Sequence, residues 1–380
     1  MPQGDAAMPF LRAAVAVLVG SCFVPGVAPA ASPASPSEWA ALVEAAKAEG
    51  KVEVILSGQM PQKLRRVMPA FQKTFGIQVN FHTGGGRKHI ERVLAERRVG
   101  RFTVDAWIGG ASGALVSLIP NKILVPLEPL LVAPEVVDRK LWYKGGHHYT
   151  DPELRYIFTW GASPSYNVTI NTKMVKPEEI RSYADLLDPR WKGKIVSRSP
   201  GQGSAAGSVP MFLNPKIGET WFRRWAKEMD VTLVTDARQG AEWVALGRFP
   251  IGMFGINTQA VRLAKEGFPV QGWLPHPMAE GEVLSASAAN IMAFDRPPNP
   301  NAMKLFVNWA LGREAQGLFI KAGETSDSLR KDVDNSVIKE QYRILPDRTY
   351  LVSFTDPDYI NRKDEVMARI RKIMEEAGYK

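Results

Sequence analysis

The sequence predicts an α/β protein of two lobes, each built on a parallel-rich sheet flanked by helices. Three observations predict it. Between residues 38 and 110, short segments of helical and extended period alternate, with glycine near the joins; this is the pattern of strand–helix units in a parallel sheet. The chain has 380 residues, more than a single core ordinarily organises. Further strand and helix candidates follow residue 190, beyond an irregular stretch.

The elements follow in order. Residues 31–37, ASPASPS, read as a linker. Ser37 reads as the cap of a helix over 38–48 that ends at Gly50. Residues 52–56 alternate as a strand, and Met60, Leu64, Val67, Met68 and Phe71 then recur at helical spacing. Residues 77–81 form the second strand. Ile90, Val93 and Leu94 give the next helix one apolar face, Gly100 closes it, and 104–108 is the third strand. Pro120, Pro126, Pro129, Pro134 and Pro152 keep 120–155 irregular. Strands are expected at 156–160 and 165–170, then at 194–196, 231–234, 251–254 and 270–273, with helices starting near Ile217, Ala237 and Asn257. Residues 283–294 read as a returning strand. Residues 299–312 read as a helix with Leu305, Phe306, Trp309 and Ala310 on one face, and 362–377 as a tail helix with Val366, Ile370 and Ile373 on one side. No internal repeat is apparent.

Residues 1–30 carry Arg12, the apolar run AAVAVLVG and the small-residue site Ala28-Pro29-Ala30, the parts of a secretory signal peptide. The run is too short to span a bilayer. Val19-Gly20-Ser21-Cys22 is an imperfect lipoprotein box, so lipid anchoring through Cys22 is the alternative. Cys22 is the only cysteine. Cleavage after Ala30 leaves no disulfide, no zinc–thiolate site and no cysteine nucleophile. The formal net charge is +9, and Arg12 and Asp5 cancel within the signal. Such an excess points to an anionic partner, but no basic run interleaved with aromatics is present, which argues against nucleic acid.

The segments EWAALVEAAKAEGKVEVILS, GIQVNFHTGGG, FTVDAWIGGAS, YADLLDPRWKGKIVSRSP and PPNPNAMKLFVNWALGREAQGLF together resemble the periplasmic solute-binding proteins of ABC importers, most nearly the ferric-iron-binding branch. The resemblance covers most of residues 38–330. It implies the type II periplasmic binding fold, with a hinge of crossing strands near 163–167 and 283–287. The lobes would be 38–165 plus 283–315, and 166–282 plus 316–380. It also implies a periplasmic monomer that takes a small-molecule solute, docks on a membrane permease, needs no cofactor and is not an enzyme. The iron branch places paired tyrosines where this chain reads Gly255-Ile256-Asn257-Thr258-Gln259, and often a His or acidic residue where it reads Ser57-Gly58-Gln59-Met60. Neither segment offers the anionic oxygen that a hard ferric ion prefers. A small anionic solute is therefore expected, with a ferric-iron-binding protein and an exported hydrolase as the alternatives.

Ligands of open parallel sheets sit beyond the carboxyl ends of the strands. That rule selects Ser57 and Gly58 after the first strand, Gly85, Gly86 and Arg87 after the second, and Ser112 after the third. Glycine lets backbone amides approach a ligand, and unpaired amides at a helix start attract anions. Tight turns alone would also explain the glycines, and Arg87 is equally readable as a surface arginine. In the second lobe the same rule selects Ser204, Arg238, Gln239 and Asn257, with Asp236 as a helix cap. Ser165 and Tyr166, and Ser285, Ser287 and Asn290, lie on the crossing strands. His147-His148 is the residual metal candidate, but adjacent loop histidines diverge, and no metal site is expected. Gly110-Ala111-Ser112-Gly113 fails the nucleophile-elbow pattern because Ala114 holds the last place, and no H-E-x-x-H is present.

Overall fold

Alternate residues of each central strand feed two cores, one on either face of its sheet. Val52, Val54 and Leu56 pack with Phe71, Phe306 and Trp309 on one side of the first sheet, whereas Ile55 packs with Ile90, Val93 and Trp107 on the other. In the second lobe Ile195 joins Phe222 and Trp225, and the next residue, Val196, joins Val244 and Ile256. This two-residue period under helices on both faces is what a doubly covered sheet requires. The computed structural model describes residues 31–201, 207–286, 288–323, 326–354 and 356–379. The expected signal peptide with Cys22, and Ser204 and Ser287, lie outside the described residues.

The first sheet runs in the order Gln78–Gly84, Lys51–Ser57, Ala106–Ile108, Asn290–Phe294, Leu124–Val125, with Phe158–Thr159 also on Asn290–Phe294. Lys51–Ser57 is parallel to both of its neighbours, and Asn290–Phe294 is antiparallel to Ala106–Ile108. The second sheet runs Val270–Gln271, Val168–Asn171, Ile251–Met253, Ile195–Arg198, Thr232–Val234, its last three strands mutually parallel. Between the lobes, Gly161–Ser165 and Glu282–Ser285 pair antiparallel, with Val283 opposite Ser165. These are the expected crossing strands.

The expected returning strand 283–294 is two strands in different sheets, Glu282–Ser285 and Asn290–Phe294, and two further departures have a local reason. The first helix is Pro36–Glu49, capped by Ser35 rather than Ser37. The Ser35 hydroxyl accepts from the Glu38 amide while the Glu38 carboxylate accepts from the Ser35 amide at 2.7 Å, a reciprocal capping box. Pro36 then takes the first helical position, where a missing N–H costs nothing. The apolar run 60–71 is not one helix but three pieces: Gln59–Lys63, a 3₁₀ turn at Leu64–Arg66, and Met68–Phe75. Pro69, which lacks an N–H, is tolerated only because a new helix begins around it.

The lobe assignment also needs correction. The sequence reading passes the chain to the second lobe at residue 316. Instead Phe319 of the helix Arg313–Gly323, and Leu329 after it, lie in the first lobe's core. The chain then adds Asp327–Ser328 and Tyr350–Val352 to the outer edges of the two crossing strands, giving a four-stranded hinge sheet. The tail helix Pro357–Glu376 then joins the second core through Val366, Ile370 and Ile373, with Leu351 of the preceding strand packed against it. The chain thus crosses between the lobes three times.

The third crossing is fastened by an ion pair. Arg348 Nη1 donates to Glu282 Oε1 at 2.6 Å, both side chains 3% exposed, and Arg348 Nη2 donates to the Pro275 carbonyl at 2.9 Å. Burial pushes the Glu282 carboxyl up to about 7, with the Arg348 guanidinium opposing the shift. Removing one partner of such a pair strands the other without solvent or counter-charge, which costs about 3–5 kcal/mol, whereas apolar replacement of both costs far less. Arg348→Met is therefore expected to lose stability of that order in urea denaturation, and Glu282→Leu/Arg348→Met to recover much of it. A single variant within about 0.5 kcal/mol of the parent would show that the pair does not hold the hinge.

Candidate functional site

The parallel strands Lys51–Ser57, Gln78–Gly84 and Ala106–Ile108 end in register, Ser57 opposite Gly84 and Leu56 opposite Ile108. Their loops therefore gather on one edge of the first lobe. They surround a groove of about 880 Å³, whose walls include Ser57, Gly58, Gly85, Gly86, Arg87 and Ser112. All six first-lobe residues selected from the sequence come together there. Sequence reasoning did not single out Trp107, Ile90, Leu94 and Val116 for the site, although they form its apolar floor and wall. The sequence marks Ile90 and Leu94 only as one face of a helix and Trp107 only as part of a strand, and it gives no reading of Val116.

The helix Gly86–Arg98 begins in this groove. Its cap residue is Gly85, which supplies no side-chain acceptor, so the first-turn amides have no side-chain cap. Such amides, aligned with the helix dipole, favour an anion. Gly86 is needed for the approach: a Cβ there would stand 3.0 Å from Ser57 Oγ and 3.7 Å from the Trp107 ring. Arg87 sits at the rim, its side chain 92% exposed and paired with Glu91 at 2.8 Å. Glu91 shares the groove, so Arg87 is a satisfied charge rather than a free cation.

A second cavity of about 500 Å³ lies at the hinge. Ser163, Ser165, Tyr166 and Ser285 reach it from the crossing strands, and Asn257, Thr258 and Trp273 from the second lobe. Ala288 lines both cavities, so they adjoin. Ser165, Tyr166 and Asn257 thus share one cavity. Asn257 is not the helix cap: Ile256 is, without a side-chain hydrogen bond, and Asn257 is the first residue of the helix Asn257–Lys265. The hinge cavity also includes Lys63, Gln341 and Tyr342, which the sequence reading missed. Gln341 and Tyr342 arrive with the third crossing, and the Tyr166 hydroxyl donates to the Gln341 carbonyl at 3.0 Å. Burial raises the Tyr166 phenol well above its ordinary value, so it remains protonated.

Arg238 and Gln239 depart from expectation. Asp236 does cap their helix, accepting from the Arg238 amide at 2.8 Å. Both side chains, however, are exposed and line neither cavity. Arg238 instead pairs with Glu242 one turn on, at 2.8 Å, the geometry of an outward helical stripe. Asn290 is likewise a brace rather than a ligand contact. It is fully buried, donates to the Gly109 carbonyl at 3.0 Å and accepts from the Thr159 hydroxyl at 2.8 Å. His147 and His148 point to different carbonyls, those of Val136 and Tyr143, each at 2.8 Å, so they do not form a pair of ligands. Among the described residues no group of three or more His, Cys, Asp or Glu side chains could hold a metal ion, and no helix is long and apolar enough to cross a membrane.

The floor of the groove depends on Gly109. A Cβ there would stand 2.9 Å from the Ser57 carbonyl oxygen and would collide with Trp107 Nε1, whereas at Gly110 it would meet nothing within 4 Å. Overpacking against a fixed backbone atom costs about 1–3 kcal/mol. Gly109→Ala is expected to lower the melting temperature correspondingly, and Gly110→Ala to change stability by less than about 0.5 kcal/mol. Indistinguishable melting of the two variants would show that the loops are not packed as described.

Residues 52–324 match the family model described as bacterial extracellular solute-binding protein. The chain is 23% identical over 294 residues to an uncharacterized protein of Haemophilus influenzae, covering 76% of this chain and 80% of the relative. In structure it is similar to the ferric iron-binding protein A of Mannheimia haemolytica in an open conformation, with a TM-score of 0.64 at 14% identity over 87% of this chain and 100% of that one. The IdiA/FutA protein of Trichodesmium, in complex with iron and citrate, gives 0.62 at 20% identity, with 87% and 100% covered. The periplasmic binding protein AfuA of Actinobacillus pleuropneumoniae, with fructose-6-phosphate bound, gives 0.52 at 15% identity, with 86% and 97% covered. At these identities the structural likeness establishes the two-lobed periplasmic binding fold, and with residues 52–324 matched the chain belongs to the bacterial extracellular solute-binding proteins.

Proposed function

We propose that this chain is the periplasmic substrate-binding component of an ABC uptake transporter, that it captures a small anionic solute between its lobes, and that it delivers the solute to a membrane permease. The observation that carries the reading is the pair of helix starts without a side-chain cap, Gly86–Arg98 in the first lobe and Asn257–Lys265 in the second. Gly86 and Asn257 line cavities that adjoin at Ala288. Backbone amides at two such starts would hold an oxyanion from both sides. Citrate and fructose-6-phosphate, which accompany two of the structural relatives, both carry oxyanions. A solute touching both lobes favours the closed form by its differential affinity for that form, and rotation about the crossing strands at 163–167 and 283–287 would close the cleft. No catalytic constellation enters this reading.

The ferric reading is kept on one observation: Tyr166 and Tyr342 both line the hinge cavity, so phenol oxygens are present away from the positions the iron branch uses. Against it, Tyr166 is held protonated and already donates to Gln341. A thermal-shift and calorimetry panel of citrate, fructose-6-phosphate, inorganic phosphate, glucose, maltose and ferric citrate separates the two. An anion at a hundred times its dissociation constant is expected to add about 2.7 kcal/mol of stability, and the neutral sugars nothing. A neutral sugar as the tightest ligand would end the anion reading. Visible absorption surviving dialysis after iron loading would establish the ferric one.

A further inference from the structure

The groove on the first lobe carries information about the solute that the two helix starts alone do not. One end is polar: Ser57, Ser112 and the start of the helix Gly86–Arg98. Ile90, Leu94, Trp107 and Val116 give the groove an apolar side, with Ser117 and the paired Arg87 and Glu91 also on its wall. Val116 is 76% exposed and lines the groove with Ile90 and Leu94, so an apolar group lying there would bury surface that is otherwise wet. Gly113 keeps this part of the groove open to Ile90, since a Cβ there would collide with Ile90 Cδ1.

A second, independent feature marks the polar end. Trp107 is 2% exposed and lines the groove, and its indole Nε1–H is buried with no acceptor. Buried indole N–H groups normally find a partner; those of Trp160, Trp191, Trp225 and Trp309 also lack one, and Trp107 is the one of the five that lines this groove. Only a glycine at position 109 leaves room for this one beside Ser57, where the strand-end loops converge. A neutral donor without an acceptor, next to helix amides without a side-chain cap, fits an oxyanion better than a metal cation or a sugar hydroxyl.

We infer that the solute is an amphiphilic organic acid. Its carboxylate or phosphonate end docks at the Gly85–Gly86 helix start and Trp107 Nε1–H, and an apolar body about the size of an aromatic ring lies along Ile90, Leu94 and Val116. This rests on the anion reading above and narrows it. The anionic group is held by neutral donors because Arg87 is already paired with Glu91, and the apolar body gains what hydrophobic contact offers.

The test is isothermal calorimetry of the purified chain with phenylacetate against acetate, phenylphosphonate against methylphosphonate, and inorganic phosphate. Burial of a ring is expected to make each phenyl acid on the order of tenfold to a hundredfold tighter than its methyl counterpart. The carboxylate and phosphonate arms identify the head group. Val116→Ser, at an exposed position that the fold does not depend on, is expected to narrow the phenyl advantage several-fold. Trp107→Phe keeps the ring and removes the donor, and is expected to weaken the methyl and phenyl acids alike. Equal affinity within each pair, inorganic phosphate as the tightest ligand, or no response to any of the four organic acids overturns the inference. Inorganic phosphate as the tightest ligand would leave the anion reading standing. Binding of a neutral sugar in place of every anion would remove that reading as well.

Discussion

The antiparallel pairing of Gly161–Ser165 with Glu282–Ser285 is the constraint on which the rest of the molecule depends. It is the place where the chain leaves the first lobe and returns, so it fixes which segments can share a core. Glu282–Ser285 carries Glu282 at one end, and Ala288 follows its other end at the junction of the two cavities. The strand therefore links the fastening of the hinge to the place where ligand would lie. A pair of extended strands is suited to that role. Its ladder holds the crossing points together, while modest changes of backbone angle can turn one lobe against the other.

The third crossing changes what such a hinge can do. A loop carrying Gln341 and Tyr342 lies against the cleft, and Tyr350–Val352 adds a parallel strand to Glu282–Ser285. The Glu282–Arg348 pair and the Tyr166–Gln341 hydrogen bond tie this segment to the crossing strands. The tail thus forms part of the hinge-cavity wall. Its composition, with Tyr342 beside Tyr166 and Trp273, gives that chamber an aromatic lining that the first-lobe loops alone would not provide.

Legibility in the sequence followed the range of the forces involved. The first-lobe site could be read because it is built from strand ends in a parallel sheet, where alternation fixes the strands and glycine marks the turns. Ser57, Gly85, Gly86 and Ser112 then meet without any long-range information. Arg238 could not be placed in the same way. Its position in the first helical turn was readable, but the direction of its side chain depends on Glu242 four residues on. The lobe boundary failed for another reason. Asp327–Ser328 is two residues long and Tyr350–Val352 three, too short for period to show, and both exist only because the crossing strands offer free edges. The capping box at Ser35 was visible in principle, as serine followed three residues later by Glu38. The nearer Ser37 obscured it.

The basic charge of the chain, finally, is not what defines the site. Arg87, Arg238, Arg262, Arg223 and Arg224 each pair with a glutamate one helical turn away. Exposed pairs of this kind contribute little and are screened by salt. They leave the net charge of +9 as a diffuse surface property, able to draw anions toward the protein but not to orient one. In the proposed reading, orientation falls to groups that carry no net charge: the first-turn amides of two helices and the indole N–H of Trp107. Such dipoles are fixed by the backbone and by burial, and they are screened less than exposed charges. A site built from them distinguishes solutes by the geometry of an oxyanion and the shape of what is attached to it, rather than by charge alone.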